Sequence, residues 1–248
     1  MNTKQFYFDG IWKKIESHPK YNLGKRELNA LIRFLPTVRR TIPQPVNILH
    51  LGVATGREVP YLIRYCIVKN YLLNDICKPV LQKTFSSLQS LFPSIQFQRK
   101  MGDVEVVGII RTLRRSLYGP TLIVLVANGV IFSKKVIDKN IHTAMDNEDY
   151  FLLTLETPHA GMYNSYLIPP VLQLLSKSRM NITQGNVQCN YDKENALMNM
   201  KRNETTLLTS YKPTVKQLRA RMALSGFHEI ALARYSSLHI TASLWKKK

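Results

Sequence analysis

The chain has 248 residues, 45% of them hydrophobic, which is enough for one well-buried core with additions. A formal net charge of +19 favours an anionic partner, RNA among them, although the basic residues are scattered and form no aromatic–glycine RNA motif. No run approaches the roughly 20 apolar residues of a membrane span. The opening MNTKQFYFDG holds no signal-peptide core, so the expectation is a cytoplasmic protein whose cysteines (Cys66, Cys77 and Cys189) stay reduced and structural.

Gln5–Ser17 places Phe6, Ile11, Trp12 and Ile15 at helical offsets and predicts a short amphipathic helix. Lys25–Leu35 predicts a second, with Leu28, Leu31, Ile32 and Leu35 on one face. Pro43 and Pro45 end this lead-in. Asn47–Leu51 reads as an apolar strand, Gly52–Gly56 as a tight loop of small residues, and about Glu58–Lys69 as a helix. That order makes a nucleotide-binding turn: small residues let the backbone approach a ligand, and the helix start offers N–H groups. Tyr71–Asn74 is a second strand ending in Asp75, about 20 residues past the loop, where an acid meets ribose hydroxyls. Aspartate equally suits an N-cap of the next helix.

The alternation continues. Pro79 sits in the first turn of a helix over Val80–Leu91, and Pro93 breaks it. Ile95–Arg99 is a strand followed by Gly102-Asp103, Val104–Leu117 a helix, and Thr121–Val126 a buried strand. Phe132–Met145 is helical, Tyr150–Leu155 a fifth strand, and Glu156–His159 the loop after it, on the binding edge of the sheet. Met162–Leu175 reads as a helix interrupted by Pro169-Pro170. Strands alternating with helices over Asn47–Leu155 argue for a parallel sheet covered on both faces. From Asn186 the pattern changes to short strands: Val187–Tyr191, Ala196–Arg202 and Thr205–Thr209, with a turn at Asp192–Asn195. A helix over Pro213–Ser225 closes at Gly226 with Phe227 behind it, and Glu229–Ala233 pairs with Leu238–Trp245 as a hairpin. The division expected is an N-terminal helical segment (1–45), a nucleotide-binding core (46–175), a small β insertion covering the substrate (176–212), and a helix with a strand pair completing the core (213–248).

The turn and Asp75 alone leave nicotinamide and S-adenosylmethionine enzymes tied. The ending, a helix, a Gly-Phe stop and a strand pair, resembles that of class I S-adenosylmethionine-dependent methyltransferases. FYFDGIWKKIESHPKYNLGKRE, HLGVATGRE, NDICKPVL, Gly102-Asp103, LIVLVANGVIFSK and TSYKPTVKQL together, and in order, resemble the histidine-specific methyltransferase family, which includes the ergothioneine-pathway Nα-methyltransferase. The resemblance implies an α/β, Rossmann-like fold: a mostly parallel sheet with an antiparallel C-terminal hairpin, N-terminal helices and a small β insertion. It implies S-adenosylmethionine as cofactor and an amine-bearing acceptor, a histidine-like small molecule or a peptide.

On that resemblance Gly52, Ala54 and Gly56 let the backbone approach the methionine part of the cofactor. Arg57 pairs with its carboxylate or merely begins the helix. Asp75 takes the ribose diol or caps a helix, and Asp103 sits near the adenine amine or caps its loop. Asn128, after the fourth strand, touches cofactor or substrate, or serves a turn. Tyr21, Tyr163 and Tyr211 are candidates for the substrate site, each giving an apolar wall and a hydroxyl. Ser210, in the SYK motif, is a candidate for binding an acceptor amine or carboxylate, and His159 is a candidate base. No metal-ligand spacing is present. The chain departs from the family at His50, where an acid usually ends the first strand, at Asn22, where a second tyrosine is frequent, and at Pro169-Pro170-Val171, where a substrate-binding asparagine stands. Two other readings remain open on these residues: an RNA methyltransferase using the basic surface, and a non-catalytic binding module on the same scaffold.

Overall fold

Val46–Leu51 forms strand β1, buried at every residue, and everything else is arranged around it. The computed structural model describes residues 14–15, 17–126, 140–176 and 182–248. Most of the helix expected over Gln5–Ser17 and most of that over Phe132–Met145 lie outside the described residues, as does Asn128.

β1 pairs in parallel with β2 (Val68–Asp75) on one side and β4 (Thr121–Val126) on the other. β3 (Phe97–Met101) extends the sheet beyond β2, and β5 (Tyr150–Glu156) beyond β4, both in parallel. β10 (Ile240–Lys247) then runs antiparallel to β5 and to the outermost strand, β9 (Phe227–Tyr235). The order is therefore β3-β2-β1-β4-β5-β10-β9. The chain leaves β1 to one side and returns to β4 on the other, so a crevice opens at the carboxyl ends of β1 and β4. β6 (Gln188–Asp192), β7 (Leu197–Arg202) and β8 (Thr205–Tyr211) form a separate antiparallel sheet.

The near-continuous apolar runs of β1, β4 and β5 follow from burial on both faces. Leu49, Leu51, Ile123, Leu125, Phe151 and Leu153 join one core layer with Trp245 and Phe227. Helices α4 (Ile109–Arg114) and α6 (Val215–Leu224) cover it. Ile48, Leu122, Val124 and Leu152 face the other way, against α1 (Leu23–Thr41), α2 (Val59–Tyr65) and α3 (Lys78–Leu91). A third apolar cluster joins Met198, Met200 and Leu208 of the small sheet to Tyr21, Tyr166 and Ile168.

Several expected bounds shift for local reasons. α1 runs on through Pro36 to Thr41; it buries Leu31 and Leu35 as expected, but with Leu23, Glu27, Phe34 and Val38 in place of Leu28 and Ile32, so its buried face is partly rotated. α2 stops at Tyr65 because Val68 already pairs with Val46, so β2 begins three residues earlier than Tyr71. Gly108, left-handed at φ 88°, delays α4, which occupies only part of the Val104–Leu117 span. Pro169 and Pro170 do not interrupt a helix: they begin α5 (Pro169–Ser176), where missing N–H groups cost nothing, and a 3₁₀ turn at Ala160–Tyr163 precedes it. β8 continues to Tyr211, so Ser210 and Tyr211 belong to a strand.

Candidate active site

The loop after β1 takes left-handed backbone at alternate residues: φ is 63° at Gly52, 45° at Ala54 and 67° at Gly56. Glycine is required twice for different reasons. A Cβ on Gly56 would lie 2.7 Å from Thr84 Cγ2, so its absence lets the loop close onto α3. A Cβ on Gly52 would meet nothing within 4 Å, so Gly52 presents a bare backbone face to open space at the end of β1. That open cradle fits a group that needs close backbone approach, as the methionine part of S-adenosylmethionine does.

Asp75, at the end of β2, is 2% exposed and fixes this loop. Its Oδ2 accepts the Ala54 N–H at 2.9 Å and its Oδ1 the Cys77 N–H at 2.8 Å, tying the loop to the start of α3. Burial pushes its carboxyl upward, against the backbone N–H groups of Cys77, Ala54 and Ile76. Thr84 completes the clamp by donating Oγ1–H to the Ala54 carbonyl at 2.6 Å. Asp103 is half-buried after β3, and its Oδ1 accepts the Glu105 N–H at 3.0 Å. Asn74, which sequence reasoning missed, is fully buried and donates Nδ2–H to the Lys100 and Gly102 carbonyls at 3.0 and 3.2 Å, joining the ends of β2 and β3.

Arg57 points across the mouth of α1. Its guanidinium lies where a Cβ on Gly24 would stand, and its Nε donates to Glu58 Oε1 at 3.1 Å. His50 is 1% exposed, with Nδ1 3.0 Å from the Tyr71 hydroxyl. Burial lowers its pKa to about 3, so a neutral imidazole stands in the apolar layer at this place.

Across β4, at the end of β5, lies a second set of polar groups, about 10 Å from β1 at the usual strand spacing. Glu156 is fully buried and touches Lys212 Nζ at 2.6 Å, His159 Nε2 at 3.0 Å and the Arg26 guanidinium. Burial alone would raise its pKa, but Lys212, His159 and Arg26 hold it at about 2. Burial disfavours the Lys212 ammonium, yet Tyr166 and Glu156 outweigh it and lift Lys212 above its usual range. Glu27, from α1, is 2% exposed, and its Oε1 has no hydrogen-bond partner among the described residues. Burial raises its pKa well above the ordinary value, only partly opposed by Lys212. The His159 ring stacks on His239 with centroids 4.1 Å apart and planes at 10°.

Beside this cluster a cavity of about 1240 Å³ opens between the N-terminal segment, the residues after β5 and the turn before β10. His18, Asn22, Arg26, His159, Leu172 and His239 are among its walls. Of the sequence candidates, His159 faces this cavity. Ser210 is buried behind it, 3.3 Å from the Tyr166 hydroxyl. Tyr21 is a core residue, 5% exposed, and Tyr163 is half-buried in its 3₁₀ turn. Tyr211 is buried under the Arg221 guanidinium, 5.7 Å from its ring centre. Glu156, Lys212, Arg26 and Glu27 were not singled out from sequence. The signals were an acid closing the apolar run YFLLTL, the lysine of the SYK motif, and an acid standing in the 23-27-31 stripe of α1.

Among the described residues no cluster of His, Cys, Asp or Glu is placed to hold a metal ion, and no helix is long and apolar enough to cross a membrane. Residues 4–166 match the model of a family described as histidine-specific methyltransferase, S-adenosylmethionine-dependent. Curated protein sequences give no match. Among solved structures, a methyltransferase dependent on the same cofactor from Anabaena variabilis is 10% identical, with a TM-score of 0.61, over 100% of this chain and 96% of its own. Magnesium protoporphyrin IX methyltransferase from Synechocystis, solved with bound S-adenosylhomocysteine, is 10% identical with a TM-score of 0.57, over 99% of this chain and 98% of its own. A methyltransferase from Clostridium acetobutylicum is 12% identical with a TM-score of 0.53, over 90% and 91%. These three share the fold. The family match spans most of the chain, and the protein belongs to the S-adenosylmethionine-dependent, histidine-specific methyltransferases.

Proposed function

We propose that this methyltransferase transfers its methyl group to an amine nitrogen, on a histidine-like small molecule or a peptide. The carrying observation is the bare Gly52 face within a loop fixed by Asp75, in a chain whose family is described by an amine-bearing substrate. S-adenosylmethionine, when bound, supplies a methyl on a sulfonium; the nitrogen lone pair displaces it in line, and the C–S bonding pair stays on sulfur.

In this reading Gly52, Ala54 and Gly56 hold the cofactor through their backbone. Asp75 keeps that loop in shape and stands beside the ribose, Asp103 stands beside the adenine, and Arg57 completes the edge; Asn128 lies outside the described residues. His50, neutral and buried, leaves the cofactor's ammonium group to the loop backbone. An amine must lose its proton before it attacks. His159 takes that role: its Nε2 is held by Glu156, and the ring lines the cavity. Ser210 stands behind the cavity wall beside Tyr166, whereas Tyr21, Tyr163 and Tyr211 are not among the described residues that line it.

Methyl-labelled S-adenosylmethionine incubated with the protein and histidine, simple amines, lysine- and histidine-containing peptides, or RNA tests this assignment. Label on an amine nitrogen, with one demethylated cofactor formed per methyl, is the expected result. Label found on RNA alone would overturn it.

A further inference from the structure

The cavity beside Glu156 differs in charge from a simple amine site. Its described lining carries two cations, Lys20 and Arg26, and among the described lining residues there is no Asp or Glu. The cluster behind it does not cancel this charge. Its one ionised carboxylate, Glu156, is shared by Arg26 of the lining and by Lys212, so Lys20, Arg26 and Lys212 together outnumber it, while burial favours the neutral form of Glu27. A one-signed cleft backed by low-dielectric protein concentrates the field at its mouth and attracts the opposite charge.

The donors are also arranged for an anion. His18 Nδ1 accepts the Lys20 N–H at 3.2 Å, which leaves Nε2–H as the donor His18 can offer. Lys20 is exposed at the rim. The Arg26 guanidinium is anchored by the Leu238 carbonyl at 2.8 Å and by Asn22 Oδ1 at 3.1 Å, so it meets a ligand already oriented.

Size and backbone chemistry narrow the class. Small-molecule sites occupy roughly 300–1,000 Å³. This cavity, at about 1240 Å³, is larger. Asn22, Asn164, Gln173 and Gln184 add amide groups that match peptide units. Phosphate sites draw on free N–H groups at a helix start, but α5, which lines the cavity, begins with Pro169-Pro170, which have none.

We propose that this cavity binds an acidic, peptide-like acceptor, with its carboxylates toward Lys20, His18 and Arg26 and its amine toward His159. The inference rests on the methyltransferase reading above for the amine, but not for the anion, so the two can fail separately.

The test is calorimetric titration of the full chain, without cofactor, with end-blocked triglutamate, end-blocked triglutamine and inorganic pyrophosphate. Triglutamate is expected to bind at least tenfold more tightly than triglutamine, and more tightly than pyrophosphate. Lys20→Ala should weaken it at least fivefold, whereas Arg115→Ala, an exposed basic residue on α4's C-terminal side, should leave it unchanged. Equal affinity for the two peptides, no binding to folded protein, tighter pyrophosphate, or equal weakening by both variants would overturn the proposal. S-adenosylmethionine titrated into the same preparation separates the cases. Cofactor binding without triglutamate binding removes the acidic acceptor and leaves the methyltransferase reading. Triglutamate binding with no methylation of any amine does the reverse.

Discussion

Glu156→Gln removes the carboxylate that joins β5 to Lys212, the residue after β8, and to Arg26 from α1. Its side chain is fully buried, so solvent does little to screen the change. The carboxyl falls from an ordinary 4.5 to about 2 in the folded protein. At about 1.4 kcal/mol per tenfold change in acidity, that is roughly 3 kcal/mol of stability at neutral pH. Removing one partner of a buried pair costs roughly 3–5 kcal/mol by a separate route, so the two agree. For a chain of this length each kcal/mol moves the melting temperature by about 2–4 °C, giving a drop of roughly 6–12 °C. The pH dependence fixes the cause. A depressed carboxylate contributes fully above its unfolded value of 4.5 and is lost as pH falls toward 2. Urea unfolding followed by circular dichroism should therefore show the wild-type advantage shrinking to less than half between about pH 7 and about pH 3. An equal deficit at both pH values, or none at pH 7, would refute the ionic assignment.

Glu27→Gln should behave oppositely. A carboxyl raised by burial penalises folding above its unfolded value, so the variant should be more stable at pH 7, with the gain shrinking as pH falls toward 4.5 and absent below it, read by the urea midpoint. The His50 ring should keep a neutral imidazole spectrum by NMR from about pH 8 to about pH 5, because its pKa is lowered to about 3. Gly52→Ala should fold, losing about 1–2 kcal/mol to its left-handed φ of 63°, since the added methyl meets open space. The same methyl should weaken S-adenosylmethionine at least tenfold by calorimetry; unchanged affinity would move the cofactor away from this loop.

The core of the fold was legible because its signals are local. The apolar runs of β1, β4 and β5 can only be buried on both faces, and the glycine loop, the Gly-Phe stop and the closing hairpin mark their own places. The misjudged bounds were set at a distance. Val68 is drawn into β2 by Val46, and no periodicity in residues 58–69 reveals that. The rotated face of α1 is likewise decided by what it meets, including the Arg57 side chain lying over Gly24. The loop residues of the candidate site were found because strand, turn and acid are close in sequence. The Glu156 cluster was not, because its members come from Arg26, Glu156, His159 and Lys212, and only folding brings them together. His159 and Ser210 had drawn attention for their placement and motif, but the charges that surround them had no sequence pattern of their own.

The most direct measurement is calorimetric titration of S-adenosylmethionine and its demethylated product into wild-type protein and Asp75→Ala. Asp75 holds the Ala54 and Cys77 N–H groups, so its loss releases the loop that Gly52 opens. Micromolar binding of both ligands to wild type, lost in a variant that is still folded, is the predicted result. Folded wild-type protein that binds neither ligand, or Asp75→Ala that binds them as wild type does, would contradict a cofactor cradle at this place.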